Sequence, residues 1–156
     1  MTDVASDEPQ DLTDDEILRR FQNSSRQPSG SRTLGFRMAA VDQSQMRVEV
    51  EFDARAELLA NPMGQVQGGY VCAMLDEVMS VACMVASKMT SVAPTLEMKT
   101  SFFRAAMPGP LRGVGRVVKW GRSVAFTEGE LYDADGRLLA KATGTAIPTP
   151  FARYKT

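Results

Sequence analysis

The sequence predicts an α+β domain in which a curved antiparallel six-stranded sheet wraps around one long apolar helix, with a short helix at the N-terminus. Three observations carry this reading. The run from Gly68 to about Lys88 is apolar on every face and helical in length. Alternating stretches precede and follow it, two before and four after. The four later stretches are joined by short turns, as antiparallel hairpins require. A helix buried all round needs a concave apolar sheet on one side and a further layer on the other, so self-association is expected.

Taken in order, residues 1–12 are polar and acidic and are expected to be a disordered tail, with a single domain over 13–156. Thr13-Asp14-Asp15-Glu16 before ILRRF is an N-cap with an acidic first turn, and the helix it starts runs to about Asn23. SSRQPSGS is expected to be a loop. Thr33–Val41 and Gln45–Phe52 form a hairpin about Asp42-Gln43-Ser44, and Ala54–Ala60 a short helical turn before Asn61-Pro62-Met63-Gly64. Two readings compete for the long apolar run, a membrane span or a buried central helix. Asp76 and Glu77 decide for the buried helix, because an aspartate alone at mid-membrane costs about 2.5–3.5 kcal/mol. Pro94–Ala105, Pro110–Lys119, Ser123–Asp133 and Leu138–Ile147 supply the remaining strands.

The 156 residues suit one domain. The absence of histidine removes Ser-His-Asp and Cys-His triads, histidine metal ligands and any histidine base. Cys72 and Cys83, eleven residues apart on one helix, are about 16 Å apart and cannot bridge; they read as packing residues. The N-terminus has no secretory or transit pattern, so a cytoplasmic address is expected. Net charge is −1, yet the first sixteen residues hold seven acidic groups and no basic one, which leaves the rest near +6. Such a body can attract a nucleotide phosphate or can simply be a scattered solvated surface, while no basic run or motif points to nucleic acid.

The chemistry concentrates in Asn61 to Ser80. Gly68 and Gly69 at a helix start present backbone N–H groups with positive dipole potential, an oxyanion donor at Gly68, or else simply a loop entering a tightly packed helix. Asp76, two turns into the apolar helix, needs a partner or a task. Glu77 is expected to be exposed about 100° further round. Gly68 and Asp76 are about 12 Å apart along one helix, so the centre is expected to combine Gly68 of one subunit with Asp76 of another.

Asn61-x-x-Gly64-x-x-Gln67-Gly68-Gly69 with Leu75-Asp76 resembles the N-x-x-G-x-x-H-G-G-(x)₅-L-D signature of hotdog-fold acyl-CoA thioesterases of the phenylacetate-degradation type. Thr95-Leu96-Glu97-Met98-Lys99, Trp120-Gly121-Arg122-Ser123 and Asp135-Gly136-Arg137-Leu138-Leu139-Ala140 extend the likeness over about residues 33–148. The resemblance implies the hotdog fold and hydrolysis of a medium-chain or aryl acyl-CoA to acid and CoA. It implies Gly68 as the donor to the thioester oxygen, with the Asn61 side-chain amide holding the same oxygen or the nearby loop, and Asp76 as nucleophile or base, with Thr95 or Ser80 orienting water. Gly69 belongs to the same substrate-binding turn. Lys119, Gly121, Arg122 and Ser123 would lie near the CoA phosphates, and Met63, Met74, Met79, Met98, Phe102 and Phe103 along the acyl group.

Gln67 stands where that signature has histidine. Its amide can organise the loop but cannot move a proton, which keeps a second reading open: an acyl-CoA-binding protein, a sensor or carrier, that does not cleave. A purely structural oligomer leaves Asp76 unexplained. A thioester has weak resonance and a good leaving group, so a carboxylate with an oxyanion donor suffices and no metal or cofactor is expected. The expected assembly is a homo-oligomer, with a dimer needed for the site and a tetramer the expected state.

Overall fold

A computed structural model describes residues 11–154. The acidic-tail reading falls almost wholly outside them; Leu12, at its end, packs against the core, and its carbonyl accepts from Gln43 Nε2 at 2.8 Å. Helix α1 (Asp14–Asn23) begins at the expected cap. Thr13 Oγ1 accepts from Glu16 N–H at 3.3 Å, and Glu16 Oε2 accepts from Thr13 N–H at 2.8 Å, a reciprocal capping box.

The loop expected over SSRQPSGS ends at Pro28, and a short helix follows it, α2 (Ser29–Leu34). Its N-cap at Pro28 lies in the expected loop, whereas its left-handed end at Gly35 lies inside the expected strand Thr33–Val41, which starts only at Phe36. Strands β1 (Phe36–Asp42) and β2 (Arg47–Ala54) pair as the expected hairpin, and α3 (Ala56–Leu59) is the single turn before the Asn61 loop. The long helix α4 spans Gly68–Ala86. A two-residue strand β3 (Ser91–Val92) precedes β4 (Thr95–Phe102), β5 (Gly109–Trp120), β6 (Ala125–Tyr132) and β7 (Leu138–Ala146). β8 (Thr149–Pro150) returns to pair with β3 and leads into a 3₁₀ turn at Phe151–Tyr154. This second sheet was not foreseen, because two-residue strands leave no alternation to read.

The main sheet is six-stranded and antiparallel throughout, in the order β1-β2-β5-β6-β7-β4. Helix α4 lies along it against β5 and β6, and Met74, Leu75 and Val78 are wholly buried there. Small residues under the helix permit the approach: a Cβ built on Gly115 would lie 2.0 Å from the Val78 carbonyl oxygen. The helix is long and apolar enough to cross a membrane by length and composition, but 56% of its most apolar stretch is buried inside this fold. The two edges of the sheet differ. β1 is covered by α1, where the rings of Phe21 and Phe36 meet at 6.5 Å. Among the described residues β4 has no strand on its outer side, and Leu96 and Phe102 on it and Phe103 just beyond are all more than half exposed.

Candidate active site

The loop from Asn61 to Gln67 is tied by its own polar groups. Asn61 Oδ1 accepts from Met63 N–H at 2.9 Å and Gln65 N–H at 3.1 Å, and the backbones of Asn61 and Gln65 also bond at 2.7 Å. The Asn61 side-chain oxygen therefore holds the loop. Val66 and Gln67 donate backbone bonds to Ala106 and Leu59, which seats the loop against the body.

Gln67 is the N-cap of α4. Its Oε1 accepts from Gly69 N–H at 2.6 Å and Tyr70 N–H at 3.3 Å. These are the second and third helical N–H groups, so the first, Gly68 N–H, is left with no acceptor among the described residues. A glutamine thus does the organising work expected of this position and leaves one donor exposed at the positive end of a 19-residue helix. Gly69 is needed for the close cap, since a Cβ there would come within 2.7 Å of Gln67 Oε1. The Phe102 ring lies beside Gly68, 3.7 Å from where a Cβ would stand, and forms an apolar wall at the donor.

Strand β4 runs back along α4 from that end. Phe102 lies by Gly68, Thr100 Oγ1 lies 3.6 Å from Cys72 Sγ, and Thr95 Oγ1 donates to Asp76 Oδ1 at 2.5 Å. Strict alternation from Phe102 through Thr100 and Met98 would turn Leu96, not Thr95, toward the helix. The β4–β7 register slips between Thr95 and Glu97, and this bulge gives Thr95 the helix-facing place instead. Of the two hydroxyls expected near the carboxylate, Thr95 reaches it; Ser80, half-buried one turn further along α4, makes no hydrogen bond to it.

Glu77 departs from expectation. It is not exposed but half-buried against α2, where Ser31 Oγ donates to its Oε1 at 2.6 Å. Burial, with the neighbouring Asp76 charge adding, pushes its carboxyl above the usual glutamate range. The helix α2 that buries it was missing from the sequence reading, which is why the error arose. Cys72 and Cys83 are both free, as expected, and burial pushes the Cys83 thiol up to about 12.

The predicted substrate contacts divide. Met63 is exposed on the loop, and Met98 is half-buried on β4. Met74 and Met79 are core residues, 0% and 3% exposed between helix and sheet, and line nothing a ligand could reach. Gly121, Arg122 and Ser123 line an open cleft of about 720 Å³ at the C-terminal end of α4, whereas Lys119, exposed on β5, does not. Lys88 and Arg153 also line it. The sequence reading missed both, because three separate segments assemble the cleft and neither residue belongs to a local pattern. Among the described residues no group of three His, Cys, Asp or Glu side chains converges as metal ligands do.

The family model of the Thioesterase superfamily matches residues 63–140, half of the chain. A phenylacetic acid degradation-related protein of Ralstonia eutropha JMP134 is 36% identical, over 85% of this chain and 97% of its own, with a TM-score of 0.75. A Streptococcus mutans UA159 protein bound to acetyl CoA shares the fold at 24% identity and a TM-score of 0.63, over 74% of this chain and 89% of its own. A Thermoplasma volcanium protein whose name carries the word esterase is 32% identical over 79 residues, 51% of this chain; the chain spans 59% of the length of that curated relative. Helix-in-sheet architecture, the Asn61–Asp76 signature and these matches agree that the chain belongs to the thioesterase superfamily, with the hotdog fold.

Proposed function

We propose that the protein is an acyl-CoA thioesterase that hydrolyses a medium-chain or aryl acyl-CoA to the free acid and CoA. The observation that carries this is the Asp76–Thr95 pair, a carboxylate on a mostly apolar helix held by a hydroxyl at 2.5 Å beside an open sheet edge. The free Gly68 N–H supplies the complementary donor. In this reading the thioester carbonyl lies against Gly68 N–H, where charge builds on its oxygen, and Asp76 attacks the carbonyl carbon or takes a proton from an attacking water. Thr95 orients the carboxylate or that water. CoA thiolate leaves without needing a strong acid, so Gln67 can serve as an organiser where the related signature has histidine. The acetyl CoA in the Streptococcus mutans protein supports CoA as the carrier.

Gly68 and Asp76 are about 12 Å apart along one helix, so the site is completed by a second copy. The free β4 edge with exposed Leu96, Phe102 and Phe103 is the surface suited to that pairing. The test is thiol release from short, medium, long and aryl acyl-CoAs, with Asp76→Ala as control. Release that disappears in the control supports the proposal. Release that persists in it removes Asp76 from the mechanism, and binding without release in the native protein makes this an acyl-CoA carrier.

A further inference from the structure

Glu77, Val81 and Met84 follow one another at i, i+4 and i+7 and form one stripe of α4. That stripe faces the N-terminal segment, and between the two lies a cavity of about 80 Å³. Phe21 at the end of α1, Pro28, and Phe36 at the start of β1 complete its apolar wall, the two phenyl rings tilted by 50° to each other. Four segments that are distant in sequence therefore close around one carboxylate, on the α2 side of α4 and away from β4, where Asp76 meets Thr95.

The other polar groups of the cavity are already engaged. Ser24 Oγ accepts from Arg26 N–H at 3.3 Å, Gln27 Nε2 donates to the Phe36 carbonyl at 2.9 Å, and Ser31 Oγ donates to Glu77 Oε1 at 2.6 Å. Glu77 Oε2 has no hydrogen-bond or ion-pair partner among the described residues, and the one charge acting on this carboxyl is that of Asp76, of its own sign. A bound water needs two to four polar partners, which these walls do not offer, and a wholly apolar guest leaves the carboxylate uncompensated. A cation with a short apolar tail answers both demands, since phenyl faces attract it as the carboxylate does. The volume exceeds the roughly 30 Å³ share of one water and falls short of the roughly 150 Å³ of an apolar cavity that takes benzene, which limits the tail to about three or four carbons.

We propose that this cavity is a binding site for a small primary alkylammonium ion, its nitrogen paired with Glu77 Oε2 and its chain lying against Phe21, Phe36 and Met84. Such an occupant joins α1, α2 and β1 to α4 and stabilises the native protein by mass action. Titration of the full chain with n-butylammonium chloride tests this, read by the Met84 methyl resonance and the melting temperature, with n-butanol as the neutral isostere and sodium chloride as the ionic control. The Met84 signal should shift saturably with n-butylammonium, and the melting temperature should rise with it but not with sodium chloride at equal ionic strength. In Glu77→Gln the affinity for n-butylammonium should fall about tenfold or more, while n-butanol binds both proteins alike. That variant keeps an acceptor for Ser31, so its fold is retained. Val81→Leu leaves the carboxylate in place but narrows the cavity, and should weaken n-butylammonium more than methylammonium. No saturable shift in the native protein overturns the proposal, as does equal affinity of the native protein and Glu77→Gln for n-butylammonium, or equal affinity of the native protein for n-butylammonium and n-butanol. These are binding measurements, so they decide the site whether or not the protein hydrolyses thioesters.

Discussion

Replacing Gly68 with proline removes one hydrogen-bond donor and little else. Gly68 is the first residue of α4, the position where proline is best tolerated because its missing N–H has no intrahelical partner. Gln67 before it has φ −63° and ψ 137°, the extended conformation a residue preceding proline adopts. A Cβ at position 68 would meet only the Phe102 ring, at an ordinary 3.7 Å. The Gln67 cap to Gly69 and Tyr70 is untouched. Stability should therefore hold or rise by about 0.4–1 kcal/mol through reduced freedom of the unfolded chain. Loss of a preorganised oxyanion donor costs about 2.7–4 kcal/mol in the transition state, so kcat should fall about 10²–10³-fold. Thiol release under saturating acyl-CoA, alongside a denaturation curve, separates the two effects. A stable Gly68→Pro protein with native kcat would refute the assignment of Gly68 N–H as the donor.

Thr95→Val should lower kcat about tenfold to a hundredfold by removing the bond to the Asp76 carboxylate, and Thr95→Ser should retain most of it; equal activity of both variants would exclude the hydroxyl from the reaction. Glu77 bears on stability. Its raised pKa means that the unfolded chain releases its proton first as pH rises, so native stability declines from the acid side of the glutamate range upward. Glu77→Gln keeps an acceptor for Ser31 and should be the more stable protein at pH 7, with the difference vanishing near pH 4, as urea midpoints at the two pH values would show. Gly115→Ala places a methyl 2.0 Å from the Val78 carbonyl oxygen, where ordinary contact begins at 3.4 Å. The helix must lift by more than 1 Å, at a cost of about 3 kcal/mol, and the Asp76–Thr95 bond is lost with it; denaturation midpoints and thiol release should fall together.

Where long patterns existed, the sequence was readable. The apolar α4 run, the six alternating strands and the Thr13–Glu16 capping box all appear at or near their expected positions, because each repeats one signal over several residues. Short features were not readable. α2 is six residues of polar and turn-forming types, and its existence decides that Glu77 is buried. The bulge at Leu96 is a property of pairing with β7, so alternation alone would have turned Thr95 away from Asp76. Met74 and Met79 illustrate the same limit: composition marks them as adaptable apolar residues, but only the packing of α4 on the sheet assigns them to the core. Gln67 was read as a departure with two outcomes; its side-chain cap on Gly69 and Tyr70 shows how a glutamine can order the helix start, and thiol release decides between the outcomes.

The proposed site is made from Gly68 of one subunit and Asp76 of its partner. The direct measurement is thiol release from mixed oligomers of Gly68→Pro and Asp76→Ala chains, each inactive alone, after co-expression or exchange of subunits. A two-fold pairing gives each mixed dimer one site with both mutations and one with neither. A shared site should recover about half the native activity per mixed dimer. Mixed dimers as inactive as their parents would contradict it and place both groups of each site on one chain.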